Sequence, residues 1–295
     1  ILQASNLPDT KVIDSARDLG DLPIGPNRPR NLAIGLLIGL VIPIGYVVVR
    51  DLLNTKIMSK KDIEAVTNIP MLGLLGNSKW TDNLVVYNKP KSPVSEAFRA
   101  LRSNLNFLIK PVESGGQVVL VTSSIGGEGK TFTSINLASV IALSGKRTCL
   151  IGLDMRKPKI FNDFGISNEK GMSTLLGAQA HTLNEVIQYS GKENLDIISA
   201  GPVPPNPSEL LEQVQFNEMI TDLRKRYDYI IVDTPPMGLV ADSLQIAPQV
   251  DGVIYVTRFN YSKKQLLSFV NEQYEGKKLE RVGIVLNDIS NNVGY

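Results

Sequence analysis

A glycine-rich stretch, SSIGGEGKT at residues 123–131, closes the apolar run QVVLVTS at 117–123 and opens the helical pattern that follows from 130 to 144. Few folds accommodate that arrangement. Glycines at 126, 127 and 129 let the backbone turn its N–H groups inward, and the N-terminus of the next helix adds positive potential, so the loop is built to cradle phosphates. The expected nucleotide contacts are Gly126, Gly127, Glu128, Gly129, Lys130, Thr131 and Phe132. Lys130 supplies a point charge for the β and γ phosphates, and the Thr131 hydroxyl is a magnesium ligand. The usual pattern GxxxxGK[ST] is broken at its first position, where Ser124 replaces glycine.

The remaining pattern agrees with that placement. An amphipathic helix is expected at 95–109, then strands at 117–123 and 147–153, DIISA near 196–200, a helix at 208–226, strands at 229–233 and 252–258, a helix from 262 to about 275, and a strand at 282–287. Short continuous apolar runs separated by helices indicate strands buried on both faces, hence a doubly wound, mostly parallel α/β sheet. Two carboxylates end strands on the same edge: Asp233 closes YIIVD before Thr234-Pro235-Pro236, and Asp154 closes CLIGLD before Met155-Arg156-Lys157-Pro158. At those positions they are candidate magnesium ligands, and one of them is a candidate to orient or deprotonate an attacking hydroxyl.

Between Leu32 and Val49 the chain has no charged residue. Eighteen residues at 1.5 Å rise span about 27 Å, close to the ~30 Å hydrocarbon core, so a transmembrane helix is expected over 31–50. Arg28 and Arg30 precede it; Arg50, Lys56, Lys60 and Lys61 follow, which places the C-terminal part in the cytoplasm. Residues 1–30, with the proline-rich DLPIGPNRPR, then form an extracytoplasmic connector, 51–91 a juxtamembrane segment and linker, and 92–295 the globular domain. The chain starts at Ile1 without Met, as expected of a fragment of a longer protein.

Composition narrows the chemistry. Thirty-one Lys+Arg against 29 Asp+Glu leave a net charge of +2, so no polybasic field marks nucleic acid as a partner. One cysteine, Cys149, and one histidine, His181, are too few for a structural zinc or an internal disulfide, and both read as structural residues, as do Tyr227, Tyr229 and Tyr255.

The order of apolar helix, SxxxxEGKT, LDMRKP, GPVPPNPSELL and YDYIIVDTPP resembles the bacterial tyrosine kinases, or BY-kinases, attached to polysaccharide co-polymerases. The resemblance covers nearly the whole chain, with Walker A, A′ and B motifs at 124–131, 150–156 and 229–233. It implies a P-loop NTPase fold of the deviant Walker kind, whose wider relatives are the MinD- and ParA-like ATPases. Those carry a signature lysine where this chain has Ile125, which points to the kinase branch. The resemblance further implies ATP and Mg2+ as cofactors and an inner-membrane location with a cytoplasmic kinase domain. It implies autophosphorylation in trans of a tyrosine tail, of which Tyr295 is the candidate here. Glu96, Arg99 and Arg102 match the family's ExxRxxR helix motif, implying a ring homo-oligomer, commonly an octamer. Implied partners are the polysaccharide export and polymerisation machinery and a tyrosine phosphatase, and another membrane helix is implied before Ile1. One departure stands out: Gly152 occupies the position of the first Walker A′ aspartate. Either Asp154 and Asp233 share the work, which the otherwise complete site favours, or the chain is a catalytically weak nucleotide-binding scaffold. A plain ATPase switch is the third reading.

Overall fold

The computed structural model describes residues 25–78, 80, 82–109, 115–180, 182–211, 214–238 and 242–290, in two compact units, 1–54 and 55–295. Tyr295, His181 and most of the N-terminal connector lie outside the described residues.

In the first unit a helix runs Arg28–Leu52, wider at both ends than the apolar core of its sequence. The Asn27 side chain accepts from the Arg30 N–H, Pro29 fits the first turn, where its missing N–H costs nothing, and Arg50 sits in the last turn. At 25 residues it is about 37 Å long, sufficient to cross a bilayer, and none of its residues is buried.

The second unit is an eight-stranded sheet. Its strands are β1 (Met71–Gly76), β2 (Gln117–Ser123), β3 (Thr148–Gly152), β4 (Ile187–Lys192), β5 (Leu195–Ile198), β6 (Tyr229–Asp233), β7 (Gly252–Arg258) and β8 (Val282–Ile289), in the order β1-β8-β7-β2-β6-β3-β5-β4. All neighbours are parallel except β4 and β5, a hairpin at one edge. The central strands are apolar on both faces, as parallel strands between helical layers must be. One layer contains the helices Pro93–Leu108 and Lys130–Ala142, whose Phe98, Leu101, Leu105, Ile135, Leu137 and Ile141 pack on Val119, Val121, Leu150 and Ile231. Each such aliphatic side chain contributes roughly 1.5–3 kcal/mol by burial. The opposite layer gathers Phe216, Met219, Leu223, Leu267 and Val270 over Val118, Leu120, Ile151 and Ile230.

One boundary differs from that expected of the sequence. The compact unit starts at Thr55 rather than near Ser92, because Ile57, Ile63, Leu75, Val85 and Val86 are fully buried and β1 supplies an edge strand beside β8. The polar composition of 77–93 conceals this: Val86 and Asn83 are fastened by Asn136, which accepts from the Val86 N–H and donates to the Asn83 carbonyl. The helix expected at 208–226 is helical over Pro207–Leu211 and Val214–Arg226, with residues 212 and 213 outside the described residues. Residues 55–57 also pair with the turn after β7, through Ile57 N–H to Ser262 O, Asn260 N–H to Ile57 O and Lys264 N–H to Thr55 O, at 2.8–2.9 Å.

Candidate nucleotide and phosphoryl-transfer site

β2, β6 and β3 are adjacent, in that they place Val121, Asp233 and Gly152 side by side at the carboxyl edge of the sheet. Parallel sheets bind ligands in the crevice at this edge. The glycine-rich loop leaves β2 here. Gly127 and Gly129 have φ of +85° and +97°, left-handed values that a side chain disfavours. A Cβ on Gly129 would also collide with the Asn287 amide. Ser124, the departure from the P-loop pattern, is buried and shares a hydrogen bond of 2.6 Å with the Tyr255 hydroxyl in the core. The segment after β6 folds over the start of the loop: the N–H groups of Met237 and Gly238 donate to Ser123 O and Ser124 O, at 2.8 and 3.1 Å. A Cβ on Gly238 would stand 2.4 Å from that Ser124 oxygen, so only glycine permits the approach.

The helix Lys130–Ala142 begins at the next residue and carries the polar groups inward. Thr131 donates to Asp233 Oδ2 at 2.8 Å and Ser134 donates to Asp233 Oδ1 at 3.0 Å. Asp233 is only 3% exposed, and burial pushes its carboxyl up to about 6 against the opposing pull of those hydroxyls and of Lys130. Lys130 is buried too; desolvation lowers its pKa, against the opposing pull of the Asp233, Asp154 and Glu128 carboxylates. Asp154 lies two residues beyond β3, held there because the Leu153 N–H bonds Asp233 O at 2.7 Å. Its carboxylate accepts from the N–H groups of Arg156 and Lys157, at 3.3 and 3.0 Å.

Lys130 and Asp154 line one open pocket of about 320 Å³ with Gly126, Gly127, Gly129, Thr131, Phe132, Asn83, Arg156, Lys157, Lys159, Pro235 and Pro236. The structure thus gathers Lys130, Thr131, Asp154 and Phe132 in the pocket, with Asp233 behind Thr131. Glu128 behaves differently from the other loop residues. Its side chain is fully buried, raised in pKa by desolvation, and accepts from Ile125 N–H at 2.8 Å and from the Ser262 hydroxyl. It supports the loop from behind. Ser134, Asn83, Arg156, Lys157 and Lys159 were not singled out as site residues from sequence. Ser134 could have been, since it lies three residues, one helical turn, after Thr131.

The oxygen-only set of Thr131, Asp233 and Asp154 fits a hard divalent cation, and a buried carboxylate with raised pKa gains from a cation that restores its charge. The fold thus implies a bound nucleotide together with a divalent metal. Gly152 faces the same side of the sheet as Asp233. A Cβ there would lie 3.3 Å from Ala200 N and 3.4 Å from Ile160 Cδ1, so the room for a longer side chain is already largely taken.

Glu96, Arg99 and Arg102 follow Ser92, whose hydroxyl caps the helix Pro93–Leu108 by accepting from Ser95 N–H. They do not share one free face. Arg99 pairs with Glu96 and donates to Pro90 O, whereas Arg102 turns inward to donate to Val140 O at 3.0 Å.

Comparison with known proteins agrees with this geometry. A family described as an AAA domain matches residues 116–278. Tyrosine-protein kinase Etk of Escherichia coli K12 is 30% identical over 311 residues, covering 98% of this chain and 42% of Etk, so the chain spans about two fifths of that relative. Tyrosine-protein kinase YwqD of Bacillus subtilis is 33% identical, covering 71% of this chain and 87% of YwqD. The solved kinase domain of the Escherichia coli tyrosine kinase Etk superposes with a TM-score of 0.73 at 31% identity, over 80% of this chain and 96% of that domain. With a P-loop at the carboxyl edge of such a sheet and likeness over nearly all of the YwqD chain, this chain belongs to the bacterial tyrosine-protein kinase family.

Proposed function

We propose that the chain is the membrane-anchored kinase portion of an ATP- and Mg2+-dependent protein-tyrosine autokinase, which phosphorylates a C-terminal tyrosine segment in trans and regulates export of an extracellular polysaccharide. The observation that carries this reading is the convergence of Lys130, Thr131 and Asp154 on one pocket backed by the buried Asp233. The loop amides and Lys130 bind the β and γ phosphates and hold the γ-phosphorus in line with the acceptor. Magnesium, when bound, neutralises charge on the transferring phosphoryl group; Thr131 and Asp233 would hold it directly or through water. Asp154 orients the tyrosine hydroxyl and accepts its proton as the tyrosine O–P bond forms and the bond from γ-phosphorus to the β-phosphate oxygen breaks, leaving ADP and phosphotyrosine. Glu96 and Arg99 serve the contact with a second copy in a ring homo-oligomer, with Arg102 bracing their helix from inside, Tyr295 is the acceptor, and the helix Arg28–Leu52 is the anchor in the inner membrane. The polysaccharide polymerisation and export machinery and a resetting phosphatase are the further partners.

One observation favours a second reading, a catalytically weak nucleotide-binding scaffold: Gly152 lacks the first Walker A′ carboxylate and Ile160 occupies part of its space. Incubating the full chain with ATP and magnesium and probing for phosphotyrosine separates the two. The kinase reading expects signal from the parent and none from Lys130→Met, which folds but lacks the phosphate-facing cation. ATP binding without any phosphotyrosine on a tail-complete protein leaves the scaffold.

A further inference from the structure

Three successive carbonyls of the phosphate loop are each held by a side chain from outside it. Gly126 O accepts from the Tyr261 hydroxyl at 2.9 Å, Gly127 O from Arg258 Nη1 at 2.9 Å, and Glu128 O from Asn287 Nδ2 at 3.0 Å. The donors come from the ends of β7 and β8 and from the turn after β7, elements that contribute nothing to the pocket lining. They are themselves fixed. Arg258 pairs with Asp288 through Nε and Nη2 at 2.7 Å and packs over the Tyr261 ring at 5.2 Å. The Glu128 carboxylate ties the same turn to the loop through the Ser262 hydroxyl.

A peptide plane that turns its carbonyl outward presents its N–H on the opposite side. Three consecutive planes held this way keep the amides of Gly127, Glu128 and Gly129 turned toward the phosphate side, which is what glycine-rich loops need and what glycine's own flexibility works against. We infer that Tyr261, Arg258 and Asn287 are positioning residues that hold the phosphate loop in its binding form before nucleotide arrives. This rests on the nucleotide site proposed above and adds the residues that set its affinity. Such preorganisation acts alike on the ground state and the transition state, so its loss raises KM for ATP and leaves kcat nearly unchanged.

The test uses the full chain in detergent micelles, comparing parent, Tyr261→Phe and Asn287→Ala, with thermal melting to verify folding and equilibrium binding of ATP, ADP and adenosine in the presence of magnesium. Tyr261→Phe removes one hydroxyl and keeps the ring on Arg258. Losing a single hydrogen bond predicts a roughly 5-fold weaker affinity for ATP and ADP, an equal rise in KM and a kcat within about 2-fold of the parent. Binding of adenosine, which has no phosphate for the loop to hold, stays at the parent value. Unchanged ATP affinity in both folded variants overturns the inference. So does an equal loss for adenosine and ATP, which signals general loosening of the pocket. A parent that binds no nucleotide at all would instead sink the proposed function itself, a result distinct from either.

Discussion

Asp233 carries a carboxylate where its charge is disfavoured: it is buried, its two oxygens are engaged by Thr131 and Ser134, and its pKa is pushed up to about 6. Because the folded value lies above the unfolded one of about 3.9, protonation favours the fold. That contribution is complete below about pH 4 and is lost as the pH rises to about 6. We expect Asp233→Asn to flatten the melting-temperature profile of the nucleotide-free protein between those values relative to the parent, and to abolish transfer. Parallel profiles for the two proteins would show that Asp233 is not the titrating group. The same competition between proton and cation predicts weaker magnesium-dependent nucleotide binding below pH 6. At Gly152, the close Ala200 N and Ile160 Cδ1 define a second expectation. Asp154→Asn should abolish phosphotyrosine formation while ATP still binds, since the phosphate cradle is untouched. Gly152→Asp should yield no gain and cost roughly 1–3 kcal/mol by overpacking. A large rise in phosphotyrosine with Gly152→Asp would overturn the role given to Asp154.

The helix Pro93–Leu108 shows how a sequence motif divides once it is folded. Spacing of three puts Glu96, Arg99 and Arg102 near one another, yet Arg102 satisfies Val140 O near the C-terminal end of the neighbouring helix, where a cation also meets the negative end of the helix dipole. Arg99 stays at the surface beside Glu96. We therefore expect the two arginines to fail differently. Arg102→Ala should lower stability by about 1 kcal/mol, seen in chemical denaturation, as a side-chain-to-backbone bond is lost. Arg99→Glu should leave stability within ~0.5 kcal/mol of the parent and reduce the assembled mass seen by sedimentation. Equal sedimentation of the parent and Arg99→Glu would remove this face from the proposed ring contact.

At the scale of the whole molecule the two units divide the physical tasks. The described residues of the first carry the helix Arg28–Leu52, with no buried residue and an apolar surface that water does not favour; the second closes its own core from Ile57 onward. A chain beginning at Thr55 should therefore fold and remain in the supernatant after high-speed centrifugation of a lysate, while the full chain sediments with membranes and is released by detergent. Aggregation of the shorter chain would show that the first unit completes the fold. A chain beginning at Ser92, the boundary suggested by composition, should be unstable because it lacks β1 and the buried Val85 and Val86.

What the sequence determined by itself is local and periodic. Strand-length apolar runs with helices between them specify a parallel sheet covered on both faces; a glycine-rich turn between a strand and a helix specifies a phosphate cradle; eighteen residues without charge specify a helix of membrane length. Gly126, Gly127, Gly129, Lys130, Thr131, Asp154 and Asp233 were legible because each sits at a fixed offset from such an element. What tertiary structure alone decided depends on contacts between residues far apart in the chain. The 77–93 stretch reads as a linker until Asn136 captures its backbone, and the Glu128 side chain has no evident task until Ser262, 134 residues later, donates to its carboxylate. Arg258, Tyr261 and Asn287 carry no motif, since their role arises only where strand order brings the ends of β7 and β8 against the loop after β2. Periodicity records which face of an element is buried; the partner that buries it is chosen by the packing of the whole sheet.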